Sequence, residues 1–487
     1  NRSQPLHLSP SRRRNHNPNR RPTNRRLSSA PNDNSLPCGW ENALPARNAQ
    51  ILILATLVCL ACFFQARRLK YAGRIGRAIE TIEQNYVDPV KGEDLYQAAM
   101  KGLLKLDPYS EFIPQTEYAE FQVQIEQQFG GVGILIEGPP TSRRLTVVAP
   151  LTNTPAYEAG VQPGDEITHI DGTPTDGMTS DQARDLMRGI VGTEVTLTIE
   201  RLGQSKAFDV TLRRADIQVD SVVGDHIQAD SSWSYFLPEA PDIAYIRVTL
   251  FGERTTEEFR QALQTIKPKA KALIIDLRFN PGGILNAAVD MCDMLLSEGR
   301  IVSTKGRRAT FDTTLSATPD LELPLDLPII ILQNGQSASA SGSMAACLQD
   351  DGRALIAGER ISAKGTVQKV FEIDNARTAI KFTTARYYRP SGANIHRTPE
   401  MQEHDVWGVL PDEGLELKLT DTQQVYLFRR WQLLGDPRRT SGPQPPTPPF
   451  SGDSQLRSAT INLGLRHSLH HGRHFDAHQR SKIFFSA

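Results

Sequence analysis

The sequence predicts an α/β protein, with an α/β core that carries an inserted β-rich module and follows an N-terminal helical segment. Three observations predict it. Over residues 240–430, apolar runs of strand length (IAYIRVTL, ALIIDLR, PIIIL) alternate with stretches of helical periodicity (TTEEFRQALQTI, LNAAVDMCDMLLS, SGSMAACLQD). Over 130–214, short strands (TVVAP, DEITHIDG, VTLTIER, FDVTLRR) are bounded by Gly, Pro and Asp, with one clear helix, SDQARDLMRGI. Over 71–127, IGRAIETIEQNYV and DLYQAAMKGLLKL place apolar residues three and four apart, and Asp88-Pro89 and Asp107-Pro108 punctuate them.

The elements follow in order. The chain has 487 residues, enough for two or three domains. Its 55 basic and 55 acidic residues balance, so nothing global argues for a nucleic-acid partner. Residues 1–47, rich in Arg, Asn, Pro and Ser, read as a disordered basic leader. Residues 48–66 contain AQILILATLVCLACFFQA, an uncharged run near the lower limit for a membrane-spanning helix. The basic leader favours a cytoplasmic N-terminus. The expectation is a transmembrane signal anchor that leaves the rest of the chain on the periplasmic or other extracytoplasmic side. A cleaved signal peptide, or an organelle transit segment, is the alternative. The 71–127 segment reads as a helical cap, which fits packing within the chain or a homodimer contact equally well. The β-rich module spans 130–214 and the α/β core 220–432. Residues 436–487 open on the Pro-rich DPRRTSGPQPPTPPF, hold five of the eleven histidines (His467, His470, His471, His474 and His478), and read as a disordered tail.

Chemistry is suggested at two places in the core. Ser339 lies in a run of small residues, QSASASGSMAACLQDDGRALIAGE, at the start of an apolar helix, and Lys364 follows inside SAKGTVQ. A serine hydroxyl needs a base to take its proton, and lysine serves only when neutral, a form that burial favours. Ser339 is therefore the candidate nucleophile and Lys364 the candidate base. A tetrahedral intermediate also needs two donors for its oxyanion. DLRFNPGG offers the backbone N–H groups of Gly282 and Gly283, and the helix after Ser339 offers that of Ala340 at its positive end. Cys347 is a rival nucleophile on paper, but it reads as a small buried helix residue. Cys59 and Cys62 share C-x-x-C spacing in wholly apolar surroundings, without a second ligand pair. The mechanism requires no cofactor and no metal.

Two resemblances add to these readings. TPAYEAGVQPGDEITHIDG, with LMRGIVGTEVTLTIER after it, resembles a PDZ domain. In that family a Gly-rich turn, here Gly131-Val132-Gly133-Ile134, offers N–H groups to a peptide's C-terminal carboxylate while the peptide adds a strand. QSASASGSMAACLQDDGRALIAGE, SAKGTVQ, DLRFNPGG, FTTARYYRPSG and GVLPD resemble the carboxyl-terminal processing (tail-specific) peptidases. LDPYSEFIP and FGGVGILIE extend that likeness over roughly residues 75–430. The resemblance implies a Ser–Lys endopeptidase on a crotonase-like core, acting on proteins or peptides with a free C-terminus. By position it makes Ser339 the nucleophile, Lys364 the base, Gln368 a residue that orients the lysine, Asp350 an accessory acid, and Arg188 a link between the PDZ domain and the active site. There are departures. Gly342 stands where a glutamate is usual, Ser362-Ala363 where Phe-Gly is usual, and Phe279 where Asn or Gly is usual. The alternative is an inactive PDZ-containing binding protein, against which the presence of both Ser339 and Lys364 argues. A hydrolase of another substrate class, the third possibility, has no need of a carboxylate-gripping module.

Overall fold

The structure, a computed structural model, describes residues 46–68, 70–138, 144–228, 230–362, 364–373, 378–398, 400–402, 404–435 and 453–470. The leader up to residue 45, the Pro-rich stretch 436–452 and residues 471–487, where disorder is expected, lie outside the described residues. The chain divides into two units, 1–89 and 90–487.

The first unit holds two helices, α1 (Ala46–Arg68) and α2 (Lys70–Asn85). The expectation of a transmembrane helix over 48–66 is not supported. Among the described residues no helix is long and apolar enough to cross a membrane. Arginines end α1, and its described apolar face runs only from Ile51 to Phe64, short of the ~20 residues a bilayer asks for.

The second unit begins with α3 (Gly92–Leu103) and α4 (Gln115–Glu126). Its β-rich module is an antiparallel sheet of Ile134–Glu137, Thr146–Pro150, Glu166–Ile170, Glu194–Glu200 and Phe208–Arg213, in that spatial order. Alternation along Glu194–Glu200 sends Val195, Leu197 and Ile199 inward, onto Leu145, Val147, Ile167 and Leu212. A single-turn helix, α5 (Pro155–Glu158), contributes the fully buried Ala156. The larger helix α6 (Ser180–Met187) starts at a capping box formed by Thr179 and Gln182 and lays Ala183 and Met187 on the same core. Asp165, fully buried, survives there because Arg201 pairs with it at 2.7 Å.

The core is built on four parallel strands in the order Ala240–Val248, Ala272–Asp276, Ile329–Gln333 and Ala354–Gly358. Three crossover helices join them: α7 (Thr255–Ile266), α8 (Leu285–Asp293) and α9 (Ala340–Asp350). Helix α10 (Asp421–Leu434) follows, and α11 (Ser454–His470) ends the described chain. Successive strand residues part to opposite faces. Ala244, Ile246, Leu273, Ile275 and Ile331 meet α7, α8 and α9, whereas Tyr245, Ile274, Ile330 and Leu332 meet Leu456, Ala459 and Leu463 of α11. A sheet of this kind needs cover on both faces, which explains its unbroken apolar strands.

That second face corrects the expectation of a disordered tail for residues 453–463. Leu456, Ala459 and Leu463, spaced three and four apart, are all fully buried. Asp453 caps α11, accepting from the Leu456 N–H at 3.0 Å, and its carboxylate holds both Arg278 terminal nitrogens at 2.8 and 2.9 Å. Arg278 is also pinned to Asp276, two residues earlier, at the end of the strand Ala272–Asp276. Two histidines of the tail, His467 and His470, fall within α11; the other three lie outside the described residues.

A second, antiparallel sheet runs Glu111–Ile113, Thr378–Tyr388, Arg300–Gly306 and Thr313–Ser316, with Thr366–Ile373 also paired to the long Thr378–Tyr388 strand. It carries the lysine loop to the serine helix.

Candidate active site

Ser339 sits at the turn between the strand Ile329–Gln333 and α9, with φ +56° and ψ −115°. A side chain other than glycine holds such a backbone only at a cost of order 1–3 kcal/mol. The surroundings impose it. The Ser337 hydroxyl donates to the Leu277 carbonyl at 2.7 Å, and Asn334 Oδ1 accepts from the Ser337 and Phe279 N–H groups. The Asn280 carbonyl accepts from the Ala338 N–H at 3.0 Å and the Ser341 hydroxyl at 3.1 Å. The serine run and DLRFNPGG are thus one stitched unit. The strained turn projects the Ser339 hydroxyl, half-exposed and without a hydrogen-bond partner among the described residues, at the positive end of α9.

The two glycines of DLRFNPGG differ in what they offer. Gly282 is packed against the serine, and a Cβ there would fall 2.6 Å from Ser339 Cβ. Its N–H, however, is spent on Asn280 Oδ1 at 2.8 Å, which corrects its expected place as an oxyanion donor in this conformation. Gly283, at φ +140°, has its close approach to Phe251, whose carbonyl a Cβ would meet at 2.0 Å. The N–H groups of Gly283 and Ala340 have no acceptor among the described residues and remain available. Phe279, too, has a positive φ, +62°. That is the region where Asn and Gly are at ease. Here the phenylalanine is held by packing on Phe428, 4.5 Å between ring centroids, and on Trp431 in α10.

Lys364 lies just before the strand Thr366–Ile373, half-buried, with its ammonium 5.1 Å from the centroid of the Tyr109 ring. Burial pushes its pKa below the ordinary lysine value, and Lys381 adds repulsion, while Glu111 and Asp107 pull back weakly. The backbones of the two candidates meet at Tyr387. Its buried hydroxyl lies 2.6 Å from the Lys364 carbonyl and 3.1 Å from the Ser339 carbonyl. The Ser362 N–H adds a bond to the Ser337 carbonyl at 2.9 Å; Ala363 lies outside the described residues.

Other candidates fare differently. Gln368 makes no hydrogen bond to Lys364. Its amide nitrogen donates to Thr366 Oγ1 at 2.8 Å and Thr383 Oγ1 at 3.0 Å, because a strand that pairs Gln368 with Thr383 aims it across the sheet. Asp350 is at the far end of α9, about 16 Å along the helix from Ser339. Burial would raise its pKa, but bonds from Arg389 and the Ser391 N–H outweigh that and hold it below the usual carboxylate range. The structure does not bring it to the site. Cys347 is fully buried, and contact with Cys292 and burial push its thiol pKa far up, so it is no nucleophile. At Gly342 a Cβ would meet Ile395 Cδ1 at 2.9 Å, the tip of a side chain that would have to shift to admit a larger residue. Asn280 and Tyr387 stood inside quoted motifs without a role, and only the fold shows what they hold.

In the β-rich module the turn Gly131-Val132-Gly133-Ile134 leads into the strand Ile134–Glu137, an edge of its sheet. The Val132 carbonyl accepts from the Ala156 N–H at 3.0 Å and the Gly133 carbonyl from the Leu151 N–H at 2.8 Å. In a trans peptide C=O and N–H point oppositely, so the N–H groups of Gly133 and Ile134 are turned away from these inner contacts. Arg188 stacks on Phe129, 4.7 Å from the ring centroid, in the strand Gln128–Gly131 that pairs with Ala215–Gln218 where the chain enters and leaves the module. It lies at that junction and not at Ser339.

The model of peptidase family S41 matches residues 242–414, and that of the PDZ domain residues 146–201. The carboxy-terminal-processing protease of Bartonella bacilliformis is 34% identical over 392 residues, covering 78% of this chain and 83% of the relative. The chain belongs to this family. The carboxyl-terminal-processing protease of Synechocystis sp. is also 34% identical, over 335 residues, 68% of this chain and 74% of the relative. Among solved structures, the photosystem II D1 C-terminal processing protease is 25% identical, with a TM-score of 0.39, over 74% of this chain and 96% of that one. The protein is thus a serine-type peptidase of the carboxy-terminal-processing family with a PDZ domain, and protein or peptide chains are its substrates.

Proposed function

We propose that Ser339 and Lys364 act as a Ser–Lys dyad, on a crotonase-like core, in an endopeptidase that takes extracytoplasmic proteins by their free C-terminus. The observation that carries this is the single hydroxyl of Tyr387 set between the carbonyls of Ser339 and Lys364. It fixes the spacing of the two backbones while both functional groups stay uncommitted. In the reaction, neutral Lys364 takes the Ser339 proton as the oxygen attacks the scissile carbonyl. The N–H groups of Ala340 and Gly283 receive the oxyanion, and the resulting ammonium protonates the leaving amine. Water, activated by the same lysine, then frees the acyl group. The edge strand Ile134–Glu137 takes the substrate's C-terminal strand, and the N–H groups of the turn before it take the carboxylate. The basic leader followed by an apolar helix supports an exported chain.

Two expected outcomes follow. An unfolded protein ending in an apolar, free C-terminus is cleaved about tenfold faster than the same protein amidated at that end, read by gel densitometry at substrate well below KM. Equal rates would remove the carboxylate grip from the proposal. Tyr387→Phe lowers kcat about tenfold with KM nearly unchanged and costs about 1 kcal/mol of stability, since the Lys364 and Ser339 carbonyls lose a shared donor and the latter keeps the Ser343 N–H. Loss of stability with kcat intact would reduce Tyr387 to packing.

A further inference from the structure

Beside Lys364, and distinct from Ser339 itself, is a cleft of about 490 Å³ lined by Tyr109, Thr366, Thr383, Arg386, His396 and Arg397. Tyr109 is shared: one face meets the Lys364 ammonium, and its edge meets His396 at 6.3 Å between centroids. The cleft therefore opens beside the proposed base, with Tyr109 as their common wall.

The lining is biased in charge. It holds two guanidiniums, Arg386 and Arg397, against one carboxylate, Asp107. That carboxylate is already satisfied, by the Tyr109 N–H at 2.8 Å, the Ser110 hydroxyl at 3.0 Å and the Thr383 hydroxyl. Arg386 is exposed and makes no side-chain bond among the described residues. Arg397 donates to the Met401 carbonyl at 3.5 Å and is backed by Trp407, 4.4 Å from the ring centroid, which together limit where its guanidinium goes. Gln368 sets the hydroxyls. Because its amide donates to Thr366 Oγ1, that hydroxyl's own proton is left to donate elsewhere. Pro108 and Met401 add an apolar wall for methylenes.

We infer that this cleft is a subsite for an acidic side chain of the substrate, near the scissile bond, held by Arg386 and Arg397 with the Thr366 hydroxyl as a further donor. The inference rests on the Ser–Lys peptidase reading. A bound carboxylate adds one negative charge near Lys364, and the two guanidiniums around it offset part of its pull on the ammonium. Guanidinium forks match carboxylates in geometry as well as charge, which favours Glu or Asp over a neutral side chain.

The test is a set of peptides of one length, each with Glu, Gln or Lys at one position, scanned from four residues before to four after the cleaved bond. At one position the full-length protein should cleave the Glu peptide about tenfold faster than Gln, with Lys slowest, a difference of ~1.4 kcal/mol. In Arg386→Glu the order within the set should invert. If no position separates Glu from Gln, or if the preference persists in Arg386→Glu, the subsite is refuted. The same peptides are titrated by fluorescence anisotropy against full-length Ser339→Ala. Should the parent cleave nothing, the peptidase reading fails on its own, and binding still decides the cleft: tighter Glu supports it, and indifference to charge overturns it.

Discussion

Lys364→Arg is as inactive as Ser339→Ala, each losing about 10⁴-fold or more in kcat/KM, while the Tm moves by no more than about 2 °C. The arginine is the decisive variant. It keeps the positive charge and much of the length but cannot give up its proton at any working pH. If Lys364 served only to stabilise negative charge, arginine would retain much of the activity, and that result would remove the lysine as base. The pH profile carries the same argument. With Lys364 as the proposed base, the neutral amine is the active form, so kcat/KM is expected to rise with pH and level off above the pKa of Lys364. Burial, aided by repulsion from Lys381, sets that pKa below the 10.5 of an ordinary lysine. Lys381 is itself paired with Glu111. Lys381→Gln removes the repulsion and frees Glu111 to attract, so the profile moves to higher pH. Glu111→Gln removes the attraction and frees Lys381 to repel, so it moves to lower pH. Opposite shifts from the two halves of one ion pair are hard to obtain unless the titrating group lies close to both, as Lys364 does. Profiles that coincide with the parent's would exclude Lys364 as the titrating group.

Asp453→Ala destabilises the protein by about 3–5 kcal/mol, the cost of leaving a buried charge half-paired. Arg278 is fully buried, and its partners are Asp276, Asp453 and Gln455. Ending the chain at Gly435 does more. It removes Asp453 together with Leu456, Ala459 and Leu463, and it uncovers Tyr245, Ile274, Ile330 and Leu332. The expected outcome is a chain that does not fold cooperatively in urea and binds apolar dyes. The effect reaches the chemistry, because Arg278 immediately precedes Phe279, Asn280 and the two glycines. A shortened chain that melts within a few degrees of the full one would show that α11 is dispensable.

Much of the molecule can be read from its residues, and the exceptions have physical causes. The apolar runs around Ile274 and Ile330 announce buried strands, and the small residues about Ser339 announce a crowded helix start. The helix Ser454–His470 was missed because its buried apolar stripe, among the described side chains, is Leu456, Ala459 and Leu463, set after a Pro-rich stretch and among histidines. Its helicity comes from the face it covers, and no local periodicity is strong enough to reveal that. Tyr387 was missed for a different reason. Its partners are 48 and 23 residues away, so nothing near it in the chain shows that its hydroxyl joins two loops. Asp350 and Gln368 show the reverse. Motif position put them in the site, whereas helix length and strand direction aim the first at Arg389 and the second at two threonines.

The pairing of Arg278 with Asp453 spans 175 residues of sequence. A chain made from its N-terminus has its parallel strands, serine turn and lysine loop all synthesised before the residues that complete that arginine's pairing and roof the sheet. Until the segment through Leu463 has emerged, the newborn protein carries an open apolar face and a half-paired charge next to its serine turn. A proteolytic enzyme built this way comes into being all at once and late, so it is incomplete while it is still being made.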